Sequence, residues 1–282
     1  MASSPPQAFR LLIALSLIIA LWAGLKELFT PAETHRFTHF ESRPLDPLAQ
    51  MPDFSHISHI PWRKEAFFDA LLPLVVEENR RLAWQREVVS DLLRLSAEER
   101  DQLSAQDRQL IQAVLQEYRA DWPTSASQGS RLLKRIDQIP MELVLMQAAN
   151  ESAWGTSRFA QEGNNLFGEW CFSVGCGLVP ERRQPGQRHE VRRFPSVQAS
   201  IQSYMRNLNT HRAYAQLRQI RAQRRAAGVE VTAQDLLPGL LSYSERGTAY
   251  IRELNAMLVV NQPLIDEALQ RYQALLESAS QP

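Results

Sequence analysis

The sequence holds 282 residues, 44% of them hydrophobic and 22% charged, the proportions of an ordinary globular protein, which excludes a disordered or fibrous chain. Its 31 basic and 31 acidic residues cancel, so total charge points to no class of partner and only its distribution is informative. The length allows one good-sized domain with attachments, or two small domains.

Residues 1–29 stand apart from the fold. Leu11 to Leu25 reads LLIALSLIIALWAGL, an uncharged apolar run between Arg10 and Lys26. At ~1.5 Å per residue it spans about 22 Å, short of a ~30 Å hydrocarbon core, and Ala23-Gly24 gives no clean A-x-A cleavage site. It reads as an inner-membrane anchor or a cleaved signal peptide. Either exports residues 30–282, which predicts a periplasmic location in the cell envelope. Residues 30–62 carry Pro31, Pro44, Pro47, Pro52 and Pro61 and read as a linker.

Residues 63–128 form a helical N-terminal region. FFDALLPLVVEENRRLAWQREVVSDLLRL has helical apolar spacing, with a kink expected at Pro73. Ser96-Ala-Glu-Glu99 is a capping box opening a helix that ends near Tyr118, and Gly129-Ser130 marks a break. Pro140 opens MELVLMQAANES, apolar on nearly every side and therefore a central, buried helix. From Asn164 to Pro195 glycines and prolines cut the chain into short pieces, with one strand expected at Glu190–Phe194. Helices resume at 197–209, 213–227, 233–242 and 248–260, and a C-terminal helix and tail at 263–282 opens near Pro263. The expected fold is mainly α, with a small β-lobe after the central helix.

Cys171 and Cys176 have four residues between them. In an oxidising compartment such a pair reads as a disulfide pinning a small loop. The alternative, a metal pair, needs two further ligands, and His189 is the one close histidine. No metal or cofactor is predicted.

The stretch QAANESAWGTSRFAQEGNNLFGEWC, residues 147–171, carries the chemistry. Glu151 closes a buried helix, where apolar surroundings and the negative end of the helix dipole both raise a carboxyl pKa. A carboxyl kept neutral near pH 7 donates a proton to a leaving oxygen, as a glycosidase acid does. A glutamate at a helix end is also, more often, simply solvated. Trp154 or Phe159 would stack on a sugar ring.

The same stretch, with GCGLVPERR, FPSVQASIQSYMRNLNTHRAY and LLSYSERGTAYIRELNAML further on and FFDALLPLVVEENRRL before it, resembles the Bax family, within the glucosaminidase group of glycoside hydrolases that includes the flagellar muramidase FlgJ. The resemblance covers residues 62–262 and places the catalytic domain at 129–262. It implies a lysozyme-like α+β fold and hydrolysis of the β-1,4 bond after N-acetylglucosamine in peptidoglycan. It puts the family's acid on Glu151. The late tyrosine of the family falls on Tyr243, in YSERG where the family pattern reads YATD, with Tyr250 nearby. Asn164, Asn165 and Phe167 match the NLFG element beside the groove, and Trp154, Glu169 and Tyr250 are further candidate substrate contacts.

Glycoside hydrolysis usually employs a second carboxylate. Glu190 is the favoured candidate, ahead of Glu169 and Glu181. Glu190 reads equally as a surface strand residue paired with an arginine, and Tyr243 equally as core. The substrate's own N-acetyl group is a further option, with Tyr243 stabilising charge.

Between Leu178 and Arg225 lie eleven arginines against two acidic residues, Glu181 and Glu190. Such a wall would attract the carboxylates of peptidoglycan stems, or is the solvated face of a helix. Nucleic acid is not expected as a partner of an exported chain. The alternatives are a lytic transglycosylase using the same glutamate, and a non-catalytic wall-binding module.

Overall fold

Apolar residues at three- and four-residue spacing run through most of the chain, and the computed structural model shows ten α-helices among its described residues, 36–181, 183 and 186–279. The run at 11–25 expected to anchor the chain lies outside the described residues. Among the described residues no helix is long and apolar enough to cross a membrane.

Helix α1 (Ile60–Arg94) opens with Pro61 in its first turn and continues through Pro73. Helices α2 (Ala97–Asp101) and α3 (Ala105–Glu117) divide the stretch expected as one helix. The Ser96–Glu99 capping box is present, and Ser104 caps α3 by accepting from the Asp107 N–H. Helix α4 (Ala126–Arg135) passes through Gly129 and Ser130, where a break was expected. Gly129 is a packing residue: a Cβ there would lie 2.4 Å from Leu93 Cδ2 on α1.

Helix α5 (Met141–Ser152) is the central helix. Leu143 through Ala149 are all buried, so no face of its middle turns meets solvent. After α6 (Arg158–Gly163) come three short strands, β1 (Trp170–Cys171), β2 (Gly177–Leu178) and β3 (Glu190–Arg192). They form an antiparallel sheet in the order β1-β3-β2, with Cys171 opposite Glu190 and Leu178 opposite Val191. Helices α7 (Val197–Thr210), α8 (Ala215–Ala226) and α9 (Ala233–Leu236) follow, with 3-10 turns at Arg212–Tyr214 and Leu237–Leu240. The architecture is mainly α with a small β-lobe after the central helix, as expected.

Helix α10 (Thr248–Ala279) replaces the two helices expected on either side of Pro263. Leu254 and Leu258 before the proline, and Ile265, Ala268 and Tyr272 after it, all face the core. Burying one such side chain contributes ~1.5–3 kcal/mol, so two flanking sets outweigh the ~3 kcal/mol cost of an interior proline. The carbonyls that lose a partner belong to Val259 in α10 and Asp69 in α1, and both residues are exposed. Helices α1, α5 and α10 pack against one another and form the centre of the molecule. The boundaries expected at 128/129 and 262/263 therefore fall inside α4 and α10.

The described part of the expected linker is a strap bound to the domain. Phe37, Met51 and Phe54 are buried in the common core. The Val197 N–H donates to the Leu48 carbonyl at 2.9 Å and the Met51 N–H to Asn164 Oδ1 at 2.9 Å. The few apolar side chains among the prolines suffice because pockets in the domain receive each one.

Candidate active site

Glu151 sits one residue before the end of α5. The chain then turns through three successive left-handed residues, Ala153 (φ 49°), Trp154 (φ 58°) and Gly155 (φ 77°). Two of these carry side chains, at a cost of order 1–3 kcal/mol each, so the turn must be held. Ser152 holds it by donating to the Ala148 carbonyl at 2.6 Å and accepting from the Gly155 N–H at 2.8 Å. The Trp154 N–H donates to the Ala149 carbonyl at 2.8 Å. The Trp154 indole packs edge-on against Phe67 and Phe68 of α1, with Lys64 Nζ 4.8 Å from the ring centroid. The half-buried ring, expected from the sequence to meet sugar, thus packs on α1 at the helix end.

The Glu151 carboxyl is partly buried. Desolvation raises its pKa above the ordinary value, and hydrogen bonds from Tyr250 and Asn150 oppose the rise. The charged groups that act on it are Glu253, which adds to the rise, and Arg246, which reduces it. Those two pair with each other at 2.6 Å.

Around Glu151 lies a cluster of four tyrosines. Tyr243 and Tyr250 stack with ring centroids 5.5 Å apart. Tyr204 lies edge-on to Tyr243 at 6.4 Å, and Tyr214 lies 6.3 Å from it. Tyr204 also stacks flat on Phe167 at 3.9 Å. Burial raises all four phenol pKa values, and the Glu151 charge raises each further, which places all four within its electrostatic reach. Gln147, one helical turn before Glu151 and fully buried, donates to the Tyr250 hydroxyl at 2.8 Å and accepts from the Tyr204 hydroxyl. Tyr243 donates to the Phe167 carbonyl at 3.2 Å.

Residues 128–262 match the family described as mannosyl-glycoprotein endo-beta-N-acetylglucosaminidase, the Glucosaminidase family. The chain is similar to Protein bax of Escherichia coli (strain K12), 34% identical over 219 residues, which cover 77% of this chain and 76% of that protein. The chain belongs to the Bax family of glucosaminidase-domain proteins. No solved structure matches it. The matched segment contains Glu151, the tyrosines and the β-lobe, but not α1 or the strap. The Bax-family chain thus draws the support beneath Trp154 from outside its glucosaminidase segment.

The other expected site residues are mostly occupied in holding backbone. Asn164 ends α6 in the left-handed region, and its side chain binds Met51 N–H, the Ala49 carbonyl and the Phe194 carbonyl. Asn165 accepts from the Phe167 and Glu169 N–H groups and donates to the Glu169 and Arg192 carbonyls. Both are buried, and the Phe167 ring is covered by Tyr204. Glu169 is partly exposed, bound to Arg192 at 3.1 Å and to the Ser203 hydroxyl at 3.0 Å. Glu181 is exposed and pairs with Arg158 at 3.7 Å.

Glu190 lies on β3 as expected, but both its oxygens accept backbone N–H groups, from Gly175 at 3.0 Å and Gly177 at 2.8 Å. These bonds hold its pKa below the ordinary value. They clamp the loop that the Cys171–Cys176 disulfide closes. The two sulfurs and Glu190 lie together, but the sulfurs are bonded to each other and the carboxylate is engaged, so the group is no metal site.

Among the described arginines of the wall, Arg188, Arg193, Arg206, Arg212 and Arg225 are exposed, and Arg221 is buried. Arg221, 1% exposed, donates to the carbonyls of Lys134, Asp137 and Gln138. Arg218 donates to those of Leu208 and His211, and Arg224 and Arg225 pair with Asp235 and Asp137. Arg218 and Arg221 thus meet carbonyls at and just beyond helix C-termini, where carbonyls lack partners and positive charge is favoured.

Sequence reasoning missed Gln147, Tyr204 and Tyr214. The signal for Gln147 was its spacing: four residues before Glu151, it shares the same helix face. Tyr204 and Tyr214 lie within the family-like stretch FPSVQASIQSYMRNLNTHRAY, but nothing there shows that tertiary packing brings them to Glu151.

Proposed function

We propose that this chain is a peptidoglycan hydrolase of the cell envelope, cleaving the glycan strand as an endo-β-N-acetylglucosaminidase with Glu151 as general acid. The observation that carries the proposal is the setting of Glu151 at the end of the buried helix. Its carboxyl is partly desolvated, with a raised pKa, and faces phenols rather than a compensating buried cation. A carboxyl so placed stays protonated at higher pH than a solvated one and can protonate the leaving glycosidic oxygen.

The second group is then not Glu190, whose oxygens are committed to the loop. The reading we favour has the substrate's N-acetyl oxygen attack the anomeric carbon, with Tyr243 and Tyr250 facing the developing charge. Glu169 is the carboxylate that a two-carboxylate mechanism would use. A lytic transglycosylase also works with one glutamate, and the engagement of Glu190 favours it equally. The product separates the two. Mass spectrometry of digested purified sacculi is expected to show reducing N-acetylglucosamine ends, absent with Glu151→Gln. Anhydro-muramic ends would assign the transglycosylase, and full cleavage by Glu151→Gln would remove the proposal.

A further inference from the structure

Beside Glu151, between the end of α5, the second turn of α1 and the middle of α10, lies a cavity of about 490 Å³ that the chemistry above leaves unused. Its size is that of cavities that hold small ligands. Asn150 lines it, and the Asn150 amide donates to Glu151 Oε1 at 3.3 Å, so the cavity begins where the proposed acid stands. From there it follows one face of α10, from Glu253 to Asn261. Glu253 is the one carboxylate among its described lining residues, and it is paired with Arg246 at 2.6 Å.

The far end of the cavity belongs to Lys64 of α1. Its Nζ donates to Asn261 Oδ1 at 2.8 Å and lies 4.8 Å from the centroid of the Trp154 ring. Asn261 is buried, and its Nδ2 donates to the Met257 carbonyl at 2.7 Å. A carbonyl only accepts and an ammonium only donates, so the Asn261 amide has a single orientation and its oxygen is given to the lysine. The ammonium is thus held by two neutral groups, and among the described residues no carboxylate pairs with it. It carries three N–H donors, one of which goes to Asn261. A full positive charge with donors to spare therefore lines the cavity.

We propose that this cavity takes a peptide stem of the glycan strand, with Lys64 binding a stem carboxylate. The proposal rests on the reading of Glu151 as an acid acting on peptidoglycan. The lining suits a peptide better than a further sugar. A sugar ring would need an open aromatic face, and the Trp154 ring already has Lys64 over it. Ala153, Ala256, Met257 and Val260 instead form a wall for short apolar side chains, and Lys64 supplies the charge for a carboxylate. A stem peptide offers both, and it hangs from the strand whose bond Glu151 would protonate. A charge-assisted bond of this kind is stronger than a neutral one. Helix α1, outside the matched segment 128–262, then serves the substrate as well as the end of α5.

The test measures kcat/KM on glycan chains that keep their stem peptides and on the same chains after an amidase has removed the stems. The readout is the ratio of the two values. The full chain is expected to favour the stem-bearing substrate, and no preference would overturn the proposal. Lys64→Met keeps a side chain over Trp154 and removes the charge. It is expected to lower the ratio about five- to tenfold, through KM, the size of one partly exposed charge-assisted contact. Ala256→Phe leaves Lys64 in place and fills the cavity from an exposed position on α10, and the ratio should fall there too. This variant carries the test if Lys64→Met does not fold. A lysine that only braces Trp154, or a cavity that holds a further sugar, would slow cleavage of both substrates alike. An unchanged ratio in either folded variant therefore overturns the proposal. Glu151→Gln run alongside separates the two claims. Full activity in it discards the acid itself, whereas its inactivity with an unchanged ratio in Lys64→Met discards only the role of the cavity.

Discussion

Glu151 at the end of the central helix and Glu190 on β3 are two glutamates at least partly removed from bulk water, and they are pushed in opposite directions. Glu190 is 6% exposed, yet its proton affinity falls, because two backbone N–H groups at 3.0 and 2.8 Å aim at its oxygens. Those two hydrogen bonds outweigh desolvation there. Glu151 is less hidden, but its surroundings are the hydrocarbon of α5 and four phenols, and its donors are two side chains, one of them at 3.3 Å. Exposure alone would have ranked the two wrongly. The number and kind of donors decides which carboxyl keeps its charge and which can hold a proton for chemistry.

The largest expected effect lies in activity. Glu151→Gln should lower the rate of sacculus cleavage at least about 100-fold, the usual contribution of a general acid, while Glu190→Gln should lose far less once matched for folded fraction. Equal losses in both variants would erase the functional half of the contrast.

The next effect is on stability against pH, and the two signs differ. Glu190 binds its proton less tightly in the folded state. Its contribution is present above its unfolded pKa of about 4.3 and is lost as pH falls through the lower folded value. Glu151 binds its proton more tightly when folded, so its contribution is present below about pH 4.3 and is lost as pH rises through the folded value. In thermal melts across pH, Glu190→Gln should fall below wild type at neutral pH and converge with it in acid. Glu151→Gln should gain on wild type at neutral pH and lose that gain in acid. Parallel curves for the two variants would contradict the opposed shifts.

A smaller effect sharpens the cause at Glu190. Reducing the Cys171–Cys176 bond loosens the loop that presents the Gly175 and Gly177 amides. The Glu190 titration should then move up toward the ordinary carboxylate value, while that of Glu151 stays in place. An unmoved Glu190 would mean that the strand, rather than the disulfide, presents those amides.

Much of this was legible in the chain itself. The central helix, its terminal glutamate, the β-lobe and the cysteine pair follow from local pattern, because burial on all sides, helix stops and turn residues are written in adjacent positions. Pro263 misled, since it falls where the freed carbonyl belongs to an exposed residue, and sequence does not show which side of a helix meets water. Gly129 misled for the same kind of reason: its missing Cβ serves contact with Leu93, not a break. At the site, Asn164, Asn165 and Trp154 were found by motif, and the structure shows what each holds in the protein itself. A motif marks positions that matter, and only the fold shows that these asparagines hold a strap and a turn. Tyr204 and Tyr214 lie more than fifty residues after Glu151, in another family-like stretch, and only packing brings them to it.

The most direct measurement is the titration of both carboxyls in one sample, by carbon-13 resonance of selectively labelled glutamate assigned with Glu151→Gln and Glu190→Gln. Glu151 should titrate above the ordinary value of about 4.3 and Glu190 below it. A Glu151 that titrates at or below the ordinary value would contradict its assignment as the acid held ready for the leaving oxygen.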